Sequence, residues 1–287
     1  MEVVKTIEEV RRLVAAARGG GKLVGLVPTM GNLHAGHLSL IDAARARCGL
    51  VVVSIFVNPA QFGPSEDYTS YPRTPEQDLA ACRGRGVDLV FTPEARTMYP
   101  PGCLTRVTVW KLGEVLCGAS RPVHFAGVAT VVAKLLNIAQ PDKAYFGAKD
   151  FQQTVVIRRM VEDLDIPVEI VVCPTVREAD GLAMSSRNAC LTPSQRRQAP
   201  ALYESLRLAE EMILRLSPPP AEVLAAVREH LTKRAPDCQI DYASLVDPGT
   251  LSDVETASLP VLAAVAVRLG DARLIDNILV DAPAGET

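Results

Sequence analysis

Long apolar runs are missing from this 287-residue chain. None approaches the roughly 18 uninterrupted apolar residues that read as a membrane span, so no transmembrane helix is expected. A basic start followed by an apolar block is also missing. The N-terminal "MEVVKTIEEVRRL" places acidic residues where a secretory signal would need basic ones, and the expected compartment is the cytosol. Excess positive charge is lacking too. The formal net charge is −3, which excludes a broad electrostatic footprint for nucleic acid and leaves any anionic ligand to a few positioned groups. The seven cysteines, at 48, 82, 103, 117, 173, 190 and 238, are odd in number, scattered and without a CxxC pair. They read as small buried hydrophobes or free thiols, not as a disulfide framework or a zinc knuckle. Histidine is scarce, with four in the chain, and two of these stand three residues apart.

Hydrophobic residues make up 48% and charged residues 22%, an ordinary balance for a globular protein with room for two domains. Thr6 and Glu9 have capping-box spacing ahead of "IEEVRRLVAAAR", and the glycines at 19–21 stop that helix. Short apolar runs follow: "KLVGLV" at 22–27, then 50–57, 87–91, 143–146 and 168–173. They are apolar throughout instead of alternating, as strands buried on both faces of a parallel sheet should be. Amphipathic segments lie between them, so the expected fold is α/β, a Rossmann-like doubly wound parallel sheet. After Pro174 the texture changes. Helical stretches at roughly 193–216 and 220–234 precede strand-like pieces around "IDYASLV", "LAAVAVRL" and "ARLIDNILV". This α+β pattern predicts a domain over 1–175 and a smaller C-terminal cap over 176–287.

The paired histidines lie in "PTMGNLHAGHLSL", residues 28–40, between an apolar run and an amphipathic one. A loop leaving the C-terminal edge of a parallel strand is where α/β proteins bind ligands, and the following helix start attracts phosphate. Gly31 and Gly36 would allow tight turns and a close backbone approach to a ligand, with His34 and His37 adding side-chain donors. A zinc site and a purely structural pair of histidines are the competing possibilities. Zinc would require a third ligand, and only His124 and His230 remain among the histidines.

The order of four stretches narrows the choice. "PTMGNLHAGHLSL", "SIFVNPAQFGPSEDYTSYPR", "RPVHFAGVATVVAKLLNIAQPDKAYFGAKDFQQ" and "READGLAMSSRN" together resemble the pantoate–β-alanine ligases, within the HxGH nucleotidyltransferase superfamily. "DYASLVDPGTL" and "RLIDN" extend the likeness nearly to the C-terminus. Asn32, Ala35 and Cys190 depart from the family pattern without carrying its chemistry. The resemblance implies ATP-dependent joining of pantoate to β-alanine through a pantoyl adenylate, with AMP and pyrophosphate released. It also implies Mg2+ accompanying ATP and a homodimer formed through the larger domain. Another HxGH transferase, or a non-catalytic nucleotide-binding module, would be the alternatives.

The same resemblance distributes roles. His34, His37, Lys149, Ser185 and Arg187 would carry the catalysis. ATP would be held by these with Met30, Gly31, Gly147, Ala148, Asp150, Val176, Met184 and Ser186. Asp150 would meet the ribose hydroxyls, and Val176 the adenine through its backbone. Gln61 and Gln153 would bind pantoate, Gln61 also reaching β-alanine, because neutral amides hold hydroxyls without neutralising the carboxylate nucleophile. Arg121 and His124 would line the same cavity. "GPSEDYTSYPR", residues 63–73, is expected to form a lid that keeps water from an acyl adenylate.

Overall fold

Valine-rich runs covered on both sides set the architecture. The structure is a computed structural model describing residues 1–64, 68–216 and 218–282. In chain order the larger body contains β1 (Glu2–Val4), α1 (Ile7–Gly19), β2 (Val24–Thr29), α2 (Ala35–Arg47), β3 (Leu50–Ile55), α3 (Pro75–Gly84) and β4 (Leu89–Phe91). It continues through α4 (Ala95–Met98), α5 (Cys117–Ser120), α6 (His124–Ala139), β5 (Lys143–Gly147), α7 (Phe151–Asp163) and β6 (Glu169–Cys173). The six strands pair in the order β1-β4-β3-β2-β5-β6, all parallel. Nearly every residue of β2 and β3 is buried, the reason for their unbroken apolar sequence. Thr6 and Glu9 form the expected capping box on α1.

The order reverses at β2, which has β3 on one side and β5 on the other. At such a switch point the loops leaving neighbouring strands run to opposite faces and open a crevice between them. The two loops flanking it here follow β2 and β5, which are the "NLHAGH" and "GAKD" junctions. Helix α6 runs below, with twelve of its sixteen residues buried.

The remainder comprises α8 (Pro193–Gln198), α9 (Ala201–Leu216), α10 (Pro220–Arg234) and an antiparallel sheet of β7 (Cys238–Val246), β8 (Val261–Leu269) and β9 (Ala272–Val280) in that order. It has its own apolar core, from Leu182 to Val280. The fold departs from the sequence pattern in two places. The single helix expected over 193–216 is two, because Pro200 lacks the N–H that would continue the first. Strand β1 is an addition to the expected strands, three residues long; Glu2, Val3 and Val4 register with Leu89, Val90 and Phe91. Among the described residues no helix is long and apolar enough to cross a membrane.

Candidate active site

The first junction is a helix cap built from two imidazoles. His34 is the N-cap of α2 in extended conformation, and its Nδ1 accepts from Gly36 N at 3.2 Å. His37 stands at the third helical position, where its Nδ1 accepts from His34 N at 3.3 Å. The rings lie 4.1 Å apart between centroids, tilted by 42°. A backbone N–H can only donate, so both Nδ1 atoms are unprotonated and both rings carry their proton on Nε2. Each histidine thus replaces an ordinary capping residue and still has an N–H to offer the cavity. The capping bond and the remaining N–H belong to different edges of each ring.

Electrostatics agree with neutral rings. Burial, followed by the proximity of His34, pushes the His37 pKa down to about 3. His34 is lowered as well, first by burial and then by the Lys149 ammonium. Gly36 lines the cavity and has a second role. A Cβ there would lie 2.9 Å from His34 Cε1, so glycine also makes room for the capping ring. Gly31 is the true tight turn, at φ +83°.

Asp78 on α3, which no local sequence pattern singles out, holds this loop. It is 2% exposed and accepts from Asn32 N at 3.0 Å and Leu33 N at 2.8 Å. Asn32, at φ +50°, occupies a left-handed position that asparagine tolerates better than most residues.

At the second junction Lys149 lies in a single 3-10 turn, Ala148–Asp150, and α7 begins only at Phe151. Lysine and aspartate therefore precede the helix instead of opening it. Asp150 is the N-cap of α7 but makes no side-chain capping bond, which leaves its carboxylate facing the cavity it lines. From the domain boundary, Ser185 caps the turn Ser186–Cys190 by accepting from Arg187 N at 3.3 Å. As with the imidazoles, its acceptor side serves the backbone and its own hydrogen remains to donate.

These groups line one cavity of about 740 Å³ with Met30, Gly147, Val176, Met184, Ser186 and Arg187. Gln61, Gln153, Arg121 and His124 line it as well. Of the residues selected from sequence, Gly31 and Ala148 do not face it; they shape the backbone behind. Gln61 is buried, with Oε1 accepting from Asn58 Nδ2 at 3.2 Å and Nε2 against the Met30 sulfur at 2.8 Å. A thioether is a weak acceptor, so that amide hydrogen is easily exchanged for a ligand hydroxyl. Asn58, held by Tyr99 OH and Gly127 O, sets the orientation of Gln61; like Asp78, it carries no signal in the local sequence. Gln152, beside Gln153, also borders the cavity, but its amide is committed to the backbone: it accepts from Cys117 N and donates to the carbonyls of Leu112 and Val115. Apolar residues of α6, including Phe125, Val128 and Val132, line the cavity too.

Residues 2–279 match the family model described as pantoate–β-alanine ligase. The chain belongs to that family. It is 54% identical over 281 residues to the pantothenate synthetase of Moorella thermoacetica, covering 98% of this chain and 99% of the other. A crystal structure of pantothenate synthetase from Thermus thermophilus superposes with a TM-score of 0.91 at 47% identity, covering 98% of this chain and all of that one. The pantoate–β-alanine ligase of Francisella tularensis, solved with a β,γ-ATP and β-alanine, gives 0.81 at 34% identity over 99% of both chains. Family membership makes this an enzyme of the ligase class in pantothenate biosynthesis.

Proposed function

We propose that the cavity joins pantoate to β-alanine in two steps, through a pantoyl adenylate. The pantoate carboxylate is ionised at neutral pH and needs no base. It attacks the α-phosphorus of ATP and displaces pyrophosphate. The amine of β-alanine then attacks the mixed anhydride and displaces AMP. The observation that carries this reading is the chemistry of one cavity: two neutral imidazoles, an ammonium, a hydroxyl and a guanidinium line it together with Gln61 and Gln153. Phosphate donors beside two neutral amides suit a nucleotide meeting a hydroxy acid. The Francisella complex with a β,γ-ATP and β-alanine supports the same substrates.

In this reading His34, His37, Lys149, Ser185 and Arg187 stabilise charge on the phosphates. His37, neutral and with Nε2–H toward the cavity, acts as a hydrogen-bond donor and not as a proton donor. Asp150 meets the ribose, while Val176 and Met184 flank the base. Mg2+ would arrive on ATP and neutralise phosphate charge. Among the described residues no three His, Cys, Asp or Glu side chains converge on a metal position, so phosphate oxygens and water would supply its ligands. We assign residues 1–175 to nucleotide and pantoate binding and 176–287 to a cap. The protein works in the cytosol as a homodimer, and Leu104 and Trp110 on the larger body, 94% and 80% exposed, suit an apolar contact with a second copy.

Oxygen transfer tests the route. With pantoate labelled by 18O in its carboxylate, one labelled oxygen should appear in AMP for each pantothenate formed. Label absent from AMP would exclude an acyl adenylate.

A further inference from the structure

Strand β9 has two faces with different tasks. Ala272, Leu274 and Asp276 are buried on one side. Arg273, Ile275 and Asn277, on the other, turn to the larger body. Arg273 reaches Cys117, Ile275 packs against the core below the parallel sheet, and Asn277 meets the loop after β5. Two features of this strand are unexpected in an edge strand that serves only its own sheet.

The first is Asp276, a carboxylate 3% exposed in a row otherwise apolar. Burial raises its pKa and the Arg177 guanidinium opposes that rise. The pair is bidentate at 2.6 and 3.0 Å, and Arg177 also donates to Gly181 O at 3.1 Å. Arg177 directly follows Val176, which lines the cavity. The second is the Asn277 amide, which donates to Ala148 O at 3.1 Å and Lys149 O at 2.8 Å. Its own backbone N–H donates to Asp276 Oδ1 at 2.8 Å. Two adjacent residues of one strand therefore hold two of the segments assigned to the nucleotide, Asn277 the 148–149 turn directly and Asp276 the chain at 176 through its neighbour Arg177. Buried polar groups that break an apolar pattern are costly, and they persist where they fix geometry.

We infer that Asn277 is a positioning residue for ATP, setting the carbonyls of the 148–149 turn so that Lys149 and Asp150 face the nucleotide. This rests on the reading that 147–150 binds ATP. The amide must be a donor, because both of its partners are carbonyl oxygens. An aspartate of the same shape would set a negative oxygen against them, and would donate one bond only when protonated.

The test is steady-state kinetics of full-length Asn277→Ala and Asn277→Asp enzymes, compared with wild type at each pH from about 8 to about 5. The readouts are kcat/KM for ATP, KM for β-alanine and the thermal midpoint. A small misplacement of a reacting group can cost roughly 10²-fold. Asn277→Ala should therefore lose roughly 10- to 100-fold in kcat/KM for ATP at every pH, while KM for β-alanine stays within about twofold. Asn277→Asp should lose more at the upper end and recover relative to Asn277→Ala as the carboxyl protonates. If Asn277→Ala fails to fold, the Asn277→Asp profile decides alone. Values for ATP within about twofold of wild type in either variant, or equal losses toward ATP and β-alanine, would each overturn the inference. Lys149→Ala separates this from the underlying reading. If Lys149→Ala also leaves kcat/KM for ATP intact, the loop does not serve ATP; if it falls while the Asn277 variants do not, only the positioning role is lost.

Discussion

His37 offers the cavity a proton it does not give up. Its Nδ1 accepts from His34 N and its pKa lies at about 3, chiefly through burial. In the unfolded chain the same ring binds a proton from about pH 6.5 downward. Between these values the unfolded state holds more protons, so stability falls as pH falls and returns as it rises. One pKa unit is worth about 1.4 kcal/mol, which makes the His37 share at most about 2 kcal/mol between pH 7 and pH 5. Urea denaturation of wild type and His37→Gln over that range checks it. Wild type should lose up to about 2 kcal/mol more than the variant. Parallel slopes would mean that His37 is charged in the fold, and the neutral-donor role would fall. Sequence alone indicates that these histidines matter, but not that they cap α2, since cap geometry depends on which ring nitrogen turns inward.

Between β3 and α3, the polar segment 63–73 borders the cavity through Ser70 and Tyr71. Phe62 meets Tyr68 and Tyr71 edge-on, Arg73 donates to the carbonyls of Tyr68 and Tyr71, and the Arg187 guanidinium lies 6.0 Å from the Tyr71 ring. Ser65, Glu66 and Asp67, within the lid expected from sequence, lie outside the described residues. If this segment shields an adenylate, replacing residues 66–70 by glycine should raise AMP released per pantothenate above one, and AMP should escape with pantoate alone. A ratio held at one would make it a connector. Most elements of this scale are legible in the sequence because each carries a local signal. The strands β2 and β3 have unbroken valine runs, and α1 has its capping box. The features that escape such reading depend on partners elsewhere. Three residues make β1 a strand only beside β4, whereas the break within 193–216 is written in the sequence as Pro200 itself. Asp78 and Asn277 act on backbone 45 or more positions away, where no spacing rule reaches.

At the scale of the whole molecule, the parallel sheet contributes two junctions and the antiparallel sheet closes over them. The central claim is that one cavity makes an acyl adenylate before the amine enters. Pyrophosphate–ATP exchange in the presence of pantoate, with β-alanine withheld, tests it most directly. Labelled pyrophosphate should pass into ATP, the exchange should vanish when pantoate is omitted, and it should fall roughly 10²-fold or more in Lys149→Ala, as when a transition-state donor is removed. An enzyme that binds ATP and forms pantothenate, yet exchanges no pyrophosphate until β-alanine is added, would contradict the two-step account.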